Sequence, residues 1–187
     1  ELRTKAKNTN FAISYGAKEW KVAETAGVSV DEARAMIQRL FTAFPNLGRF
    51  LENTGANALR DGFTTTTWGR KRSESGIFSF DWGVREEAKR QLVNHTIQGT
   101  SADLIKQAMV NCYQDGYLPV LSVHDELVFE FPVEGLDKSV SEVLQCMQAM
   151  DLGVPIKVHA KVGDNSALFV ALMNPSRLMS SSGVMPF

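Results

Sequence analysis

The segment Leu121-Ser122-Val123-His124-Asp125-Glu126-Leu127-Val128-Phe129-Glu130-Phe131 sets three consecutive ionisable residues in the middle of an apolar run. Its Val, Leu and Phe residues favour a pleated surface, and Gly116, Pro119 and Pro132 punctuate the ends, so the run reads as a strand. Alternation along a strand sends Asp125 to one face with Val123 and Leu127, and His124 and Glu126 to the other, so no single wet face takes all three charges. A buried carboxylate is tolerated only where a cation, a metal or several hydrogen-bond donors compensate it, which points to function. The competing reading is a tight hairpin apex with all three residues solvated. Against it stands the lack of Gly, Asn and Pro between Val120 and Phe131.

The 187-residue chain, 44% hydrophobic, holds enough apolar material for one well-cored domain or two small ones. A formal net charge of −1 neither demands nor excludes nucleic acid, so local clusters carry the information. Basic residues gather at Arg3, Lys5 and Lys7, at Arg70-Lys71-Arg72 and at Lys89-Arg90, and acidic ones around Asp125, Glu126, Glu130 and Glu134. Cys112 and Cys146 stand far apart without metal-ligand spacing, which suggests neither a disulfide framework nor a zinc site and fits a reducing compartment. No stretch approaches the roughly 20 apolar residues of a membrane span, so no membrane partner is expected. The chain opens at Glu1, directly on a helical pattern, and is expected to be a fragment or one part of a split protein.

Periodicity predicts a helix over Leu2 to Tyr15 closed by Gly16, and a second opened by a Ser29/Glu32 capping box and stopped at Pro45. A third runs from about Leu47 to Arg60, with Gly62 at its end, before strand-like Phe63 to Trp68. Ser73 to Gly83 reads as loop, and one long helix follows from Val84 to Gln114. Leu136 to Met150 reads as helix, Val154 to Val162 as strand, and the Ser-rich residues 174–187 as a disordered tail. His95 and His159 read as structural, and Trp20, Trp68 and Trp82 as packing residues rather than base-stacking platforms.

On the first helix Arg3, Lys7, Phe11 and Tyr15 recur every four residues, drifting only about 40° per step, and form one slanting stripe. Two cations followed by two aromatics suit a ligand anionic at one end and flat at the other, as a nucleotide is. A solvated basic end with aromatics in the core is the plainer alternative.

Together, Arg3-x-x-x-Lys7-x-x-Asn10-Phe11-x-x-x-Tyr15-Gly16, Gln98-Gly99-Thr100-x-Ala102-Asp103 and Val123-His124-Asp125-Glu126 resemble, in order, three motifs of family A DNA polymerases. Arg90, Asn94 and the Gly69-Arg70-Lys71-Arg72 loop also match, and the resemblance covers about Leu2 to Asn165. It implies an α+β fold: a helical fingers-like subdomain over 1–84, and a palm-like subdomain over 85–173 with a small antiparallel sheet backed by helices. It further implies that Arg3 and Lys7 hold the triphosphate of a deoxynucleotide, that Phe11 packs on its sugar and that Tyr15 stacks at the templating position. Arg90, Asn94 and Gln98 would read shape in the minor groove of primer-template DNA, His124 would touch the primer terminus, and Arg70 and Arg72 would contact phosphate. Asp125, with Glu126 as a weaker auxiliary, would bind Mg2+ in a two-ion phosphoryl transfer, which makes Asp125, Glu126 and Lys7 the catalytic set.

The chain departs from the family pattern in three places. The strand that carries the family's second catalytic aspartate and its ribose-excluding glutamate lies upstream of this helix and has no counterpart after Glu1. Thr4 stands where many relatives repeat arginine, and Ser166 where they often carry tryptophan. The expected partners are therefore primer-template DNA, deoxynucleotides and an upstream segment carrying that aspartate, in the cytoplasm of a bacterial or phage-infected cell or in an organelle. A phage-type single-subunit RNA polymerase and a non-catalytic primer-template-binding module are the alternatives.

Overall fold

The computed structural model describes residues 2–163 and 168–173, with the backbone alone at 2, 3, 5 and 168–173. The chain divides into two compact units, one up to Gly99 and one from Thr100. Among the described residues no helix is long and apolar enough to cross a membrane.

The first unit opens with α1 (Leu2–Ser14), α2 (Glu19–Ala26), α3 (Val30–Ala43) and α4 (Pro45–Asp61). Gly16 takes φ 75° after α1, in the left-handed region that a Cβ disfavours. At the start of α3 both halves of the capping box are made: the Ser29 hydroxyl accepts from the Glu32 N–H at 3.3 Å, and the Glu32 carboxylate accepts from the Ser29 N–H at 2.9 Å. Ile13, Val22, Ala23 and Ala33 are the buried centre that joins α1, α2 and α3. Helix α3 ends at Ala43, just ahead of Pro45 as the sequence predicts, and Pro45 itself then begins α4, where its missing N–H costs nothing. Helix α2 is too short to show a full apolar stripe and has no counterpart in the periodicity.

Strands β1 (Phe63–Thr65) and β2 (Lys71–Ser73) pair antiparallel, with Phe63 opposite Ser73. The threonine run therefore turns at Thr66 rather than running on to Trp68, because the Thr66 carbonyl accepts from Gly69 and its N–H donates to Arg70. Lys71 and Arg72, read as solvated loop, are strand residues. The predicted loop after Ser73 contains a 3-10 turn (Ser75–Phe78), and α5 (Trp82–Asn94) begins two residues before Val84. Trp20, Trp68 and Trp82 do not pack inside; all three are exposed, Trp82 at the first position of α5 with the Lys18 Nζ 4.7 Å from its ring.

From Trp82 the chain stays helical to Gln114, but not as one α-helix. Residues His95–Gly99 form a π-helical turn between α5 and α6 (Thr100–Gln114).

The second unit is an antiparallel four-stranded sheet in the order β3-β4-β6-β5, built from β3 (Leu121–Val123), β4 (Glu126–Glu130), β5 (Val158–Val162) and β6 (Leu168–Met173). Leu127 and Phe129 of β4 and Val158 of β5 are buried with Leu104, Ala108 and Cys112 of α6, and with Val143, Cys146 and Met147 of α7 (Leu136–Gln148). The α+β architecture with helices backing a small antiparallel sheet is the one the motifs imply. The tail 174–187 and Ser166 lie outside the described residues.

Both cysteine thiols sit in this core. Burial pushes Cys112 from an ordinary 9.0 up to about 12. Burial and a 3.0 Å hydrogen bond to the Asp115 carboxylate push Cys146 to about 11. The hydrogen bond that Tyr117 donates to the Glu142 carboxylate raises its phenol to about 12. All three folded-state values lie above the unfolded ones, so the stability they contribute is whole below pH 9 and is lost as pH rises toward 12. Denaturant midpoints of the chain are expected to hold between pH 7 and 8.5 and to fall steadily from pH 9 to 11, with a shallower fall in Tyr117→Phe; a midpoint unchanged to pH 11 would contradict this assignment.

Candidate functional site

On α1 the predicted stripe has a physical form. The Lys7 ammonium lies 5.4 Å from the centre of the Phe11 ring, and Phe11 stacks on Tyr15 with centroids 6.4 Å apart and planes 19° from parallel. Lys7 is exposed and both aromatics are half-buried, so the column is neither sunk in the core nor detached from it. The Arg3 side chain lies outside the described ones.

The His124-Asp125-Glu126 triplet is not inside a continuous strand. Val123 pairs with Glu126, which leaves His124 and Asp125 as the two-residue turn of a β3-β4 hairpin. The hairpin apex that the lack of glycine weighed against is what forms. His124 supplies the positive φ that such turns need, 55°, and His is among the few residues other than Gly that enter this region readily. A non-glycine residue held there stores strain, as residues at working sites often do. His124 is exposed, while Asp125 and Glu126 are partly buried, so His124 and Asp125 leave the strand for the turn and Glu126 stays as the partly exposed first residue of β4. The first residue inward, Leu127, is fully buried and anchors the apex to the sheet.

Arg90, Asn94 and Gln98 keep four-residue spacing, but the π turn lies across it. A widened turn adds a residue and displaces the succeeding residues by about 100° around the axis, so the three no longer share one α-helical stripe. Arg90 and Gln98 are exposed; Asn94 is partly buried, and its Oδ1 is shielded from solvent with no hydrogen-bond partner.

Side chains of the β1-β2 hairpin hold the π turn in place. Thr64 donates its hydroxyl to the Leu92 carbonyl at 2.7 Å, and Arg70 donates a guanidinium N–H to the Gly99 carbonyl at 3.0 Å. The His95 ring bonds the Arg70 carbonyl at 3.2 Å, and Thr96 donates to the Val93 carbonyl at 2.7 Å. His95 is thus structural, as its spacing implies, and Arg70 has a structural task besides any contact with phosphate. Arg72 and Arg90 are each ion-paired, to Glu74 and Glu87, both at 2.6 Å. Thr64, Thr66, Glu74 and Glu87 carry signals that sequence inspection passed over. The two threonines alternate at strand spacing on one buried face, and Glu87 precedes Arg90 by three residues on a helix.

The family model of DNA polymerase family A matches residues 1–167. DNA polymerase I of Bacillus caldotenax is 37% identical over 169 residues, 87% of this chain and 19% of that protein. DNA polymerase I of Pseudomonas aeruginosa is 38% identical over 173 residues, 88% of this chain and 19% of that protein. The chain thus spans about a fifth of the length of the curated relatives it matches. Among solved structures, the POL domain of Pol1 from M. smegmatis, in complex with DNA primer-template and dNTP, superposes with a TM-score of 0.78 at 33% identity, covering 83% of this chain and 29% of that one.

Gly99 is where the π turn and the hairpin meet most closely. A Cβ there would lie 2.7 Å from the His95 ring and 2.8 Å from the Thr66 methyl, both held in place. Gly99→Ala is expected to destabilise the first unit by about 1–3 kcal/mol, read as a drop in denaturant midpoint. In a His95→Ala background, where the ring is gone, the penalty is expected to shrink. An equal penalty in both backgrounds would place the strain elsewhere.

Proposed function

The chain belongs to DNA polymerase family A, and from that premise we propose that it forms the nucleotide-binding and part of the catalytic machinery of a DNA-directed DNA polymerase. The observation that carries this reading is the column on α1, in which Lys7 caps Phe11 and Phe11 stacks on Tyr15. A cation continued by two stacked rings matches the order of parts in a deoxynucleotide. Lys7, with Arg3 one turn earlier, would bind the triphosphate and offset charge that shifts toward the leaving pyrophosphate. Phe11 would support the sugar, and Tyr15, beside the flexible Gly16, would fill the templating position until a template base displaces it. Arg90, Asn94 and Gln98 would hold primer-template DNA, donating guanidinium and amide N–H groups to minor-groove acceptors. His124 would contact the primer end. The names of the relatives support a deoxynucleotide substrate over the RNA-polymerase alternative.

Asp125 and Glu126 present hard carboxylate oxygens at a partly exposed apex, a donor set that fits Mg2+. Among the described residues no three His, Cys, Asp or Glu side chains form a preassembled cage. Mg2+ in nucleotide sites is held by one or two carboxylates plus phosphate oxygens, and this apex offers two carboxylates. When bound, the ion would supply Lewis-acid stabilisation of the phosphoryl group; Asp125 would fix its place, and Glu126 would assist.

A two-ion site needs a further carboxylate, which we assign to polymerase sequence beyond these 187 residues. Strand β3 offers the place for it. It is one of the two edges of its sheet, and Leu121 and Val123 on it are exposed.

The chain alone is expected not to extend a primed template, and addition of an upstream family A segment carrying the second aspartate is expected to restore extension. In that mixture Asp125→Asn should lower kcat by about 10³-fold or more, and Lys7→Ala should weaken both deoxynucleotide KM and kcat. Extension that survives Asp125→Asn would sink the proposal.

A further inference from the structure

Arg72 and Arg90, both assigned to DNA, are closed into one hydrogen-bonded chain that spans β2 and α5. Arg72 donates from Nε at 2.9 Å and from Nη2 at 2.6 Å to a single oxygen of Glu74. Its Nη2 also donates to the Gln91 carbonyl oxygen at 3.1 Å, and the Gln91 amide donates in turn to Glu87 at 2.9 Å. Glu87 accepts from Arg90 on both oxygens: from Nη2 at 2.6 and 2.8 Å and from Nε at 3.0 Å. The order is Glu74, Arg72, Gln91, Glu87, Arg90, with both acidic members engaging the side-on edge of a guanidinium. That edge, formed by Nε and Nη2, is one of two through which arginine grips a phosphate with paired bonds.

Resting on the assignment of Arg72 and Arg90 to DNA, we propose that Glu74 and Glu87 are built-in competitors for DNA, which must displace Glu74 before Arg72 can take a phosphate and Glu87 before Arg90 can enter the minor groove.

Carboxylate and phosphate oxygens are acceptors of the same kind and compete for one donor edge. Both pairs are partly exposed, and ion pairs in such places are weak enough for a polyanion to open. Each opened pair also leaves a carboxylate beside the incoming polyanion, so binding at these arginines yields less than at bare ones. The Arg90 and Gln91 hydrogen bonds hold the Glu87 carboxyl below its ordinary value, which keeps the competitor charged. Gln91, bonded at both ends, couples the two pairs, so opening one loosens the other. The device lowers affinity for any duplex and leaves selection to groups that sense the primer end.

The test is titration of the 187-residue chain with fluorescently labelled primer-template DNA between about 50 and 200 mM salt. Glu87→Gln and Glu74→Gln keep side-chain shape and remove the charge; each is expected to bind about 3- to 10-fold tighter at the low end, with the slope of log affinity against log salt steeper by roughly 0.9 per arginine freed. The double variant is expected to fall short of the product of the two, because of the Gln91 link. Glu52→Gln, an exposed carboxylate on α4, removes the same charge without opening either pair and should change little. If Glu87→Gln and Glu74→Gln gain no more than Glu52→Gln, or leave the salt slope unchanged, the proposal is wrong while the function reading stands. If the parent chain does not bind primer-template at all, the function reading fails and this inference with it.

Discussion

The constraint on which the first unit depends is the backbone accounting around the π turn at His95–Gly99. A helix that widens by one residue moves its carbonyls off their regular partners, and buried carbonyls must find donors. Here the donors arrive from the β1-β2 hairpin and from Thr96. Thr64 reaches Leu92, Arg70 reaches Gly99, and His95 closes the loop onto the Arg70 carbonyl. The hairpin is only three residue pairs long and could not stand alone, since isolated two-stranded ribbons are marginal in water. Helix and hairpin therefore stabilise each other. This explains why Thr64 and Thr66 are polar yet buried, and why the residue at 99 has no side chain.

Much of the fold was legible because its signals are local. The Ser29/Glu32 box, the glycines at 16 and 62 and the apolar spacing of α3 each act within a few residues, and each appears where spacing predicts. What was illegible has a non-local or weak cause. A π turn carries no periodic signature of its own, and over Leu92, Ile97 and Leu104 the apolar spacing fits a plain α-helix nearly as well. The His124-Asp125 turn was masked because His replaced the glycine that usually marks such a turn. The tryptophans failed in the opposite direction: a large ring reads as core, and only the three-dimensional fold shows it exposed.

For the candidate site the pattern is similar. Spacing of four on α1 is sufficient for Lys7, Phe11 and Tyr15, because an unbroken helix converts spacing into proximity. The same spacing on the long helix is not sufficient for Arg90, Asn94 and Gln98, because the helix is broken between them. The triplet at 124–126 was identified as chemically out of place for a strand, which is correct, although the reason it is tolerated is a turn rather than a buried partner.

That turn bears on how the proposed metal affinity of Asp125 would be kept separate from stability. A carboxylate buried in a strand would have tied metal binding to the integrity of the core, since losing the ion would leave an uncompensated charge there. Asp125 at a partly exposed apex avoids that coupling. Leu127 and Phe129, two and four residues along, carry the burial, while Asp125 and Glu126 stay outside the packed layer. In the proposed role the sheet would remain folded with the apex empty, and the apex would exchange ions without unfolding cost. The strain at His124 is what fixes the apex in space, because a turn confined to one backbone conformation holds its neighbouring carboxylate more narrowly than a glycine turn would.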